Sequence, residues 1–142
     1  MKNKFITKWG CRIKLNKSNE GVIWSQIHHF KKDEFACGCG CGLNNIDLKL
    51  VMRLEKARRN LTIPFIISSA CRCSNHNKSV GGSESSSHIK GLAVDILIDS
   101  SSSRYKIIQS LLDNGFNRLG VYKNFVHVDI DSSKTQGVIW YM

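Results

Sequence analysis

The chain has a single proline, Pro64, and no apolar run near the roughly 20 residues that a membrane-spanning helix needs. A membrane protein is therefore not expected. Its first ten residues, MKNKFITKWG, carry basic side chains but no apolar stretch behind them, so no secretory signal is expected. Acidic residues are scarce: 11 Asp and Glu stand against 21 Lys and Arg, a formal net charge of +10. That surplus favours anionic partners such as nucleic acid, anionic lipid or an anionic cell-wall polymer. A merely soluble basic surface explains it equally well, because net charge governs association and not chemistry. Internal repeats are lacking, and the serine-rich pieces at 83–87 and 100–103 are only loop-length. Solenoids and low-complexity linkers are excluded on that ground.

What is present suits one globular domain over residues 1–142, long enough to enclose a core without cross-links. Residues 1–36 are weakly patterned and hold Trp9, Trp24 and the pair His28–His29; they read as an N-terminal arm packed on a core of 37–142. From Asn45 the pattern turns helical, with Ile46, Leu50, Val51, Leu54 and Ala57 on one face and Arg53, Lys56 and Arg59 on the other. Phe65–Ile67 reads as a buried strand, 74–80 as a turn of helix and Leu92–Ile98 as a strand. Ser101–Ser103 can cap a second helix with Tyr105, Ile108, Leu111 and Leu112 inward and Asn114-Gly115 as its stop. Arg118–Tyr122, Phe125–Ile130 and Gly137–Tyr141 read as strands. The expected class is α+β: a small, largely antiparallel sheet with helices on one side.

The stretch SSSHIKGLAVDI, residues 85–96, carries a histidine and an aspartate in an apolar setting. Side chains of a strand alternate faces, so Leu92, Val94, Ile96 and Ile98 take the core and Asp95 points the other way, beside small Ala93. Gly91 lets the chain turn so that His88 returns over that face. In FVHVDI, Val126, Val128 and Ile130 are the core side, and Phe125, His127 and Asp129 the opposite one. His88, Asp95 and His127 thus offer two imidazoles and a carboxylate to one divalent ion. Zinc accepts that set and keeps a fourth position open for water, as a catalytic zinc does. Taken singly, each of the three has an ordinary alternative as a loop residue or a hydrogen-bonded strand residue. Their common direction is what favours metal.

These two segments resemble the signature of zinc D-alanyl-D-alanine carboxypeptidase-like peptidases, which share a fold with lysostaphin-type enzymes and the hedgehog signalling domain. Ser86, His88, Gly91, Ala93 and Asp95 match their Ser-x-His-x-x-Gly-x-Ala-x-Asp pattern, and His127 matches the later strand histidine. IISSACRCSNHNKSVGG resembles their upstream segment with a strand, a serine, an arginine and a His-Asn pair; the likeness runs from about Phe35 to Ile130. The resemblance implies one catalytic Zn2+ on His88, Asp95 and His127. It implies that Arg72 holds the substrate's carboxylate or the polarised carbonyl oxygen, a task suited to a planar, permanently charged fork, with Ser69 helping. Many relatives carry a Glu, Asp or His two or three residues before the last histidine, where this chain has Phe125 and Asn124. One branch ends in His-x-Asp, as here, so Asp129 is the expected catalytic base. It lies about 7 Å from His127 along the strand face, a span that equally lets it orient a zinc histidine. Glu84 and His76 are other candidates.

Six cysteines without an export signal favour free thiols or metal thiolates over disulfides. Cys37, Cys39 and Cys41 form C-x-C-x-C, and Cys71 and Cys73 a second C-x-C, tighter than the usual zinc-knuckle spacing. A second, Cys-bound ion requires residues 37–41 to lie near the Arg72 loop; free thiols are the plainer expectation, and Cys11 has no evident partner. The function expected from the resemblance is a zinc peptidase, carboxypeptidase or endopeptidase, acting on peptidoglycan stem or cross-link peptides. The expected protein is a monomer made in the cytoplasm without a signal. It reaches the bacterial wall after release as a phage or prophage lysin, or is a virion-associated wall hydrolase or a bacterial housekeeping peptidase. Two readings compete: a non-catalytic, zinc-stabilised wall-binding domain, and a basic nucleic-acid module, for which no finger spacing or stacking motif speaks.

Overall fold

The computed structural model describes residues 4–6, 12–14 and 17–142; Trp9 and Cys11 lie outside the described residues. In chain order the elements are β1 (Lys4–Ile6), β2 (Arg12–Lys14), α1 (Glu20–Trp24), α2 (Leu48–Arg59), β3 (Ile67–Ser69), α3 (Ser74–Ser79), β4 (Ala93–Leu97), α4 (Ser101–Asp113), β5 (Arg118–Val121), β6 (Phe125–Asp129) and β7 (Val138–Tyr141). Strands β1 and β2 pair with each other. The other five form one sheet in the order β3-β4-β6-β5-β7, antiparallel except for the β5–β7 edge. The class is α+β, as the alternation of helical and strand periods predicts.

One face of the sheet supplies Val94, Ile96, Leu119, Val126 and Val128 to the core, where they meet Leu50, Val51, Leu54 and Ala57 of α2 and Ile107 and Leu111 of α4. Asp47 caps α2, accepting from the Lys49 amide at 2.7 Å, so the helix begins after Ile46. Ser100 and Ser103 cap α4 reciprocally. The buried face of α4 is rotated from the one expected: Leu111 is inside and Ile108 packs against the core, but Tyr105 is 68% exposed and Leu112 43%, and Ile107 and Ser110 are buried in their stead. Ser110 explains the rotation, because its hydroxyl donates to the Ala57 carbonyl at 2.6 Å and locks α4 onto α2. Within the described part of 1–36, Phe30 and Phe35 enter the main core against Phe65 and Trp24. Strand β3 lies two residues later than Phe65–Ile67, because Phe65 packs into the core and Ile67 and Ser69 pair with Ile96 and Asp95.

Candidate metal centre

Asp95 and His127 sit directly opposite each other on β4 and β6, so their side chains leave the same face, away from the core. His88 reaches them from the loop before β4. That loop is set by Gly91, whose φ is +69°, and a Cβ there would lie 2.0 Å from the Asn45 carbonyl oxygen. Neither the conformation nor the space admits a side chain. Gly91→Ala is expected to destabilise the fold by about 2 kcal/mol or more, from left-handed strain plus the backbone clash. The same change should shift His88 and weaken zinc retention. Urea unfolding and elemental zinc analysis test both, and an unchanged midpoint would count against this account.

The three donors converge. His88 Nε2 is 3.2 Å from Asp95 Oδ1 and 3.2 Å from His127 Nδ1, and His127 Nδ1 is 3.0 Å from Asp95 Oδ1. A tetrahedral zinc with ligand distances near 2.0–2.1 Å requires donor separations of about 3.3 Å. The triangle therefore fits a single zinc ion. The far nitrogens fit as well. His88 Nδ1 donates to the Ala70 carbonyl at 2.7 Å, since a carbonyl can only accept, which leaves Nε2 with its lone pair toward the site. His127 Nε2 donates to Asp129 Oδ2 at 2.9 Å, which leaves Nδ1 for the ion. Burial alone would push the Asp95 carboxyl up, but hydrogen bonds with His127 and His88 outweigh it and hold Asp95 well below the usual carboxylate range. Burial would lower His127, but Asp129 and Asp95 raise it, leaving an electron-rich imidazole for which proton and metal compete.

Asp129 itself is buried, and both its oxygens are engaged. Oδ2 takes the His127 hydrogen bond, and Oδ1 accepts from Arg118 Nε at 2.8 Å and from the Asp131 amide at 3.0 Å. Burial pushes its carboxyl up, yet the His127 and Arg118 hydrogen bonds prevail and keep it ionised below its ordinary range. Arg118 also donates to the Thr135 carbonyl and lies over Trp140, 5.3 Å from that ring's centre. Arg72 stands on the other side of the triangle. Its Nη2 meets Asp95 Oδ2 at 3.1 Å, its Nε donates to Ser69 Oγ at 3.0 Å and its Nη1 to Asn77 Oδ1 at 3.3 Å. A cavity of about 470 Å³ opens over this group; Arg72, His88, Asp95, His127 and Asp129 line it, and Ser69 does not. Ser69 is placed to support Arg72. Glu84 and His76 do not line the cavity either, and Asp95 and Asp129 are the only Asp or Glu side chains among the described residues that do.

Several parts of the site escaped the sequence reading. Arg118 and Trp140 carry no motif of their own and become partners only through the fold, and the His-Asn pair did not reveal that Asn77 holds Arg72. Asp131 lies just past β6, buried, where it accepts from Ser87 Oγ at 2.8 Å, Lys90 Nζ at 3.0 Å and Ser133 Oγ at 2.6 Å. Burial works against its ionisation, but these donors keep its carboxyl far below the usual range. It thereby fastens the His88 loop to the chain leaving β6. The acidic spacing Asp129-x-Asp131 was a visible signal, but nothing in it named Ser87 as a partner.

Among the described residues no helix is long and apolar enough to cross a membrane. A search of curated proteins returned no match. The family model for Peptidase M15 matches residues 28–129, more than two thirds of the chain, and spans every donor of the triangle together with Arg72 and Asp129. With a zinc-fitting His–Asp–His group inside the matched region, the chain belongs to the Peptidase M15 family, the zinc-dependent, D-Ala-D-Ala carboxypeptidase-like peptidases.

Proposed function

We propose that this chain hydrolyses peptide bonds in the stem or cross-link peptides of peptidoglycan, acting at the bacterial wall as a lysin of phage or prophage type. The observation that carries the reading is the convergence of His88, Asp95 and His127, 3.0–3.2 Å apart, at the floor of an open cavity beside Arg72. Zinc held there would polarise a peptide carbonyl and make water a nucleophile near neutral pH. The residues around it supply position and charge. Three of the five N–H donors of Arg72 are taken by Ser69, Asn77 and Asp95, and two are left for a substrate carboxylate or a carbonyl oxygen developing negative charge. A net charge of +10 supports residence on an anionic wall. Of the two roles open to Asp129, its engagement with His127 and Arg118 favours orienting His127 over taking a proton from water.

That same engagement supports a second reading, a wall-binding domain that holds metal without cutting, since no Asp or Glu side chain beyond Asp95 and Asp129 lines the cavity among the described residues. Incubation with defined muropeptides, followed by mass analysis of products, separates the two. The enzyme is expected to release fragments, to stop with chelator and to resume with zinc; intact muropeptides with zinc bound would leave only the binding domain. The released fragment also distinguishes loss of a terminal D-amino acid from internal cleavage. Asp129→Asn supplies a further arm. If Asp129 orients His127, zinc affinity falls about 10–100-fold and turnover of the loaded enzyme persists. If Asp129 is the base, turnover is lost with metal in place.

A further inference from the structure

A second cluster of donors lies outside the site described above, on different elements. Residues 37–41 do lie against the Arg72 segment. Cys37 Sγ is 3.4 Å from Cys39 Sγ, and Cys39 Sγ is 3.7 Å from Cys73 Sγ. With Cys41, the sulfurs of all four lie within 4.8 Å of one another. Tetrahedral zinc with Zn–S bonds near 2.3 Å places its sulfurs about 3.8 Å apart. Four thiols at such separations are crowded as neutral groups and well placed as ligands.

The backbone is arranged in the same sense. The Cys73 amide donates to Cys37 Sγ at 3.3 Å, and the His76 amide donates to Cys73 Sγ at 3.3 Å. Amide donors aimed at sulfur stabilise thiolates. The loop is closed on itself by Cys37 N–H to the Leu43 carbonyl at 2.8 Å and Gly40 N–H to the Cys37 carbonyl at 3.2 Å. Gly40, at φ +80°, provides the reversal between Cys39 and Cys41. Cys71, two residues before Cys73, takes no part: it is buried, and its thiol points to Asn44 Oδ1 at 3.8 Å.

We propose that Cys37, Cys39, Cys41 and Cys73 bind a second zinc ion in a closed, structural site. Four thiolates leave no position for water or substrate, so the ion performs no hydrolysis. It ties the 37–43 loop to the segment on which Arg72 sits, between Cys71 and Cys73. The proposal is independent of the peptidase reading, because it uses none of the cavity residues.

The test uses the full chain, purified under reducing conditions and loaded with zinc. Elemental analysis is expected to find two zinc ions per chain, and one in His88→Ala/His127→Ala. Cys39 and Cys41 are exposed, so their alkylation reports on coordination without any substitution. Both are expected to resist a thiol-alkylating reagent while zinc is bound and to react once a chelator is added. Cobalt(II) in place of zinc should produce the intense sulfur-to-metal charge-transfer absorption of thiolate coordination, and Cys39→Ser/Cys73→Ser should lose it. Reduced His88→Ala/His127→Ala protein without zinc, or immediate alkylation of Cys39 and Cys41 in zinc-loaded protein, or cobalt loading without that absorption, would overturn the proposal.

Discussion

Replacing His127 by alanine is expected to abolish zinc retention at the cavity and to lower muropeptide hydrolysis by about a thousandfold or more, some 4 kcal/mol of transition-state stabilisation. The size of the effect follows from the geometry. His127 Nδ1 forms two edges of the donor triangle, 3.0 Å to Asp95 and 3.2 Å to His88, and among the described residues no imidazole beyond His88, itself already a donor, lines the cavity to replace it. The variant also strips Asp129 of its partner at 2.9 Å, so His88→Ala and Asp95→Ala should be measured beside it and are expected to agree. Zinc content by elemental analysis and products by mass spectrometry are the readouts, with circular dichroism reporting the fold. In the unaltered chain the same measurements against pH have a defined sign. The flanking carboxylates raise His127, so its proton is retained to higher pH than in a free imidazole, and zinc affinity is expected to weaken progressively as pH falls below that raised value. Full hydrolysis by any of the three variants would remove that residue from the ligand set.

Arg118→Ala is expected to cost about 3–5 kcal/mol near neutral pH, a fall in Tm of about 10 °C or more. Arg118 and Asp129 form a buried pair at 2.8 Å, with side chains only 9% and 1% exposed. Removing the guanidinium strands an ionised carboxylate in the interior, and that desolvation, more than the lost attraction, sets the cost. The sign with pH follows from Asp129, whose carboxyl is held below its ordinary value. A group depressed in this way stabilises the fold above the unfolded carboxylate pKa and loses that contribution as pH falls through the folded value. The difference between variant and parent should therefore narrow as Asp129 takes up a proton. Urea titrations at neutral pH and near the ordinary carboxylate pKa of about 4 provide the comparison. Equal midpoints at neutrality would show the pair to be dispensable. A second consequence reaches the metal, because Asp129 without Arg118 holds His127 less firmly, and zinc affinity should drop with stability.

The α+β class and most elements were legible because period-2 and helical patterns survive in single segments. Val94 and Ile96 against Asp95, and Val126 and Val128 against His127, declare their faces without help from the rest of the chain. The inner face of α4 was not legible in this way. Tyr105 and Leu112 fit the apolar stripe as well as Ile107 does, and the rotation was decided by Ser110 meeting a carbonyl of α2. The start of β3 depended on pairing with β4, a contact across more than twenty residues of sequence.

The site divides along the same line. His88, Asp95, His127 and the glycine that turns the loop are short-range features, recognisable because metal ligation needs particular side chains at particular strand positions, whereas Arg72 was implied by the family resemblance. What each carboxylate does is a long-range matter. Asp129 at two residues from His127 could face the water or the imidazole ring, and only the arrival of Arg118 from β5 decides where its second oxygen points. Four of the cysteines meet although their spacing is tighter than that of usual zinc knuckles, because the fold brings Cys73 to a loop 32–36 residues earlier. Local sequence thus determined which groups are available and which face each takes, since alternation along a strand is a property of neighbouring residues. Tertiary structure alone decided which groups became partners, since hydrogen bonds and coordination depend on distances that chain separation does not set.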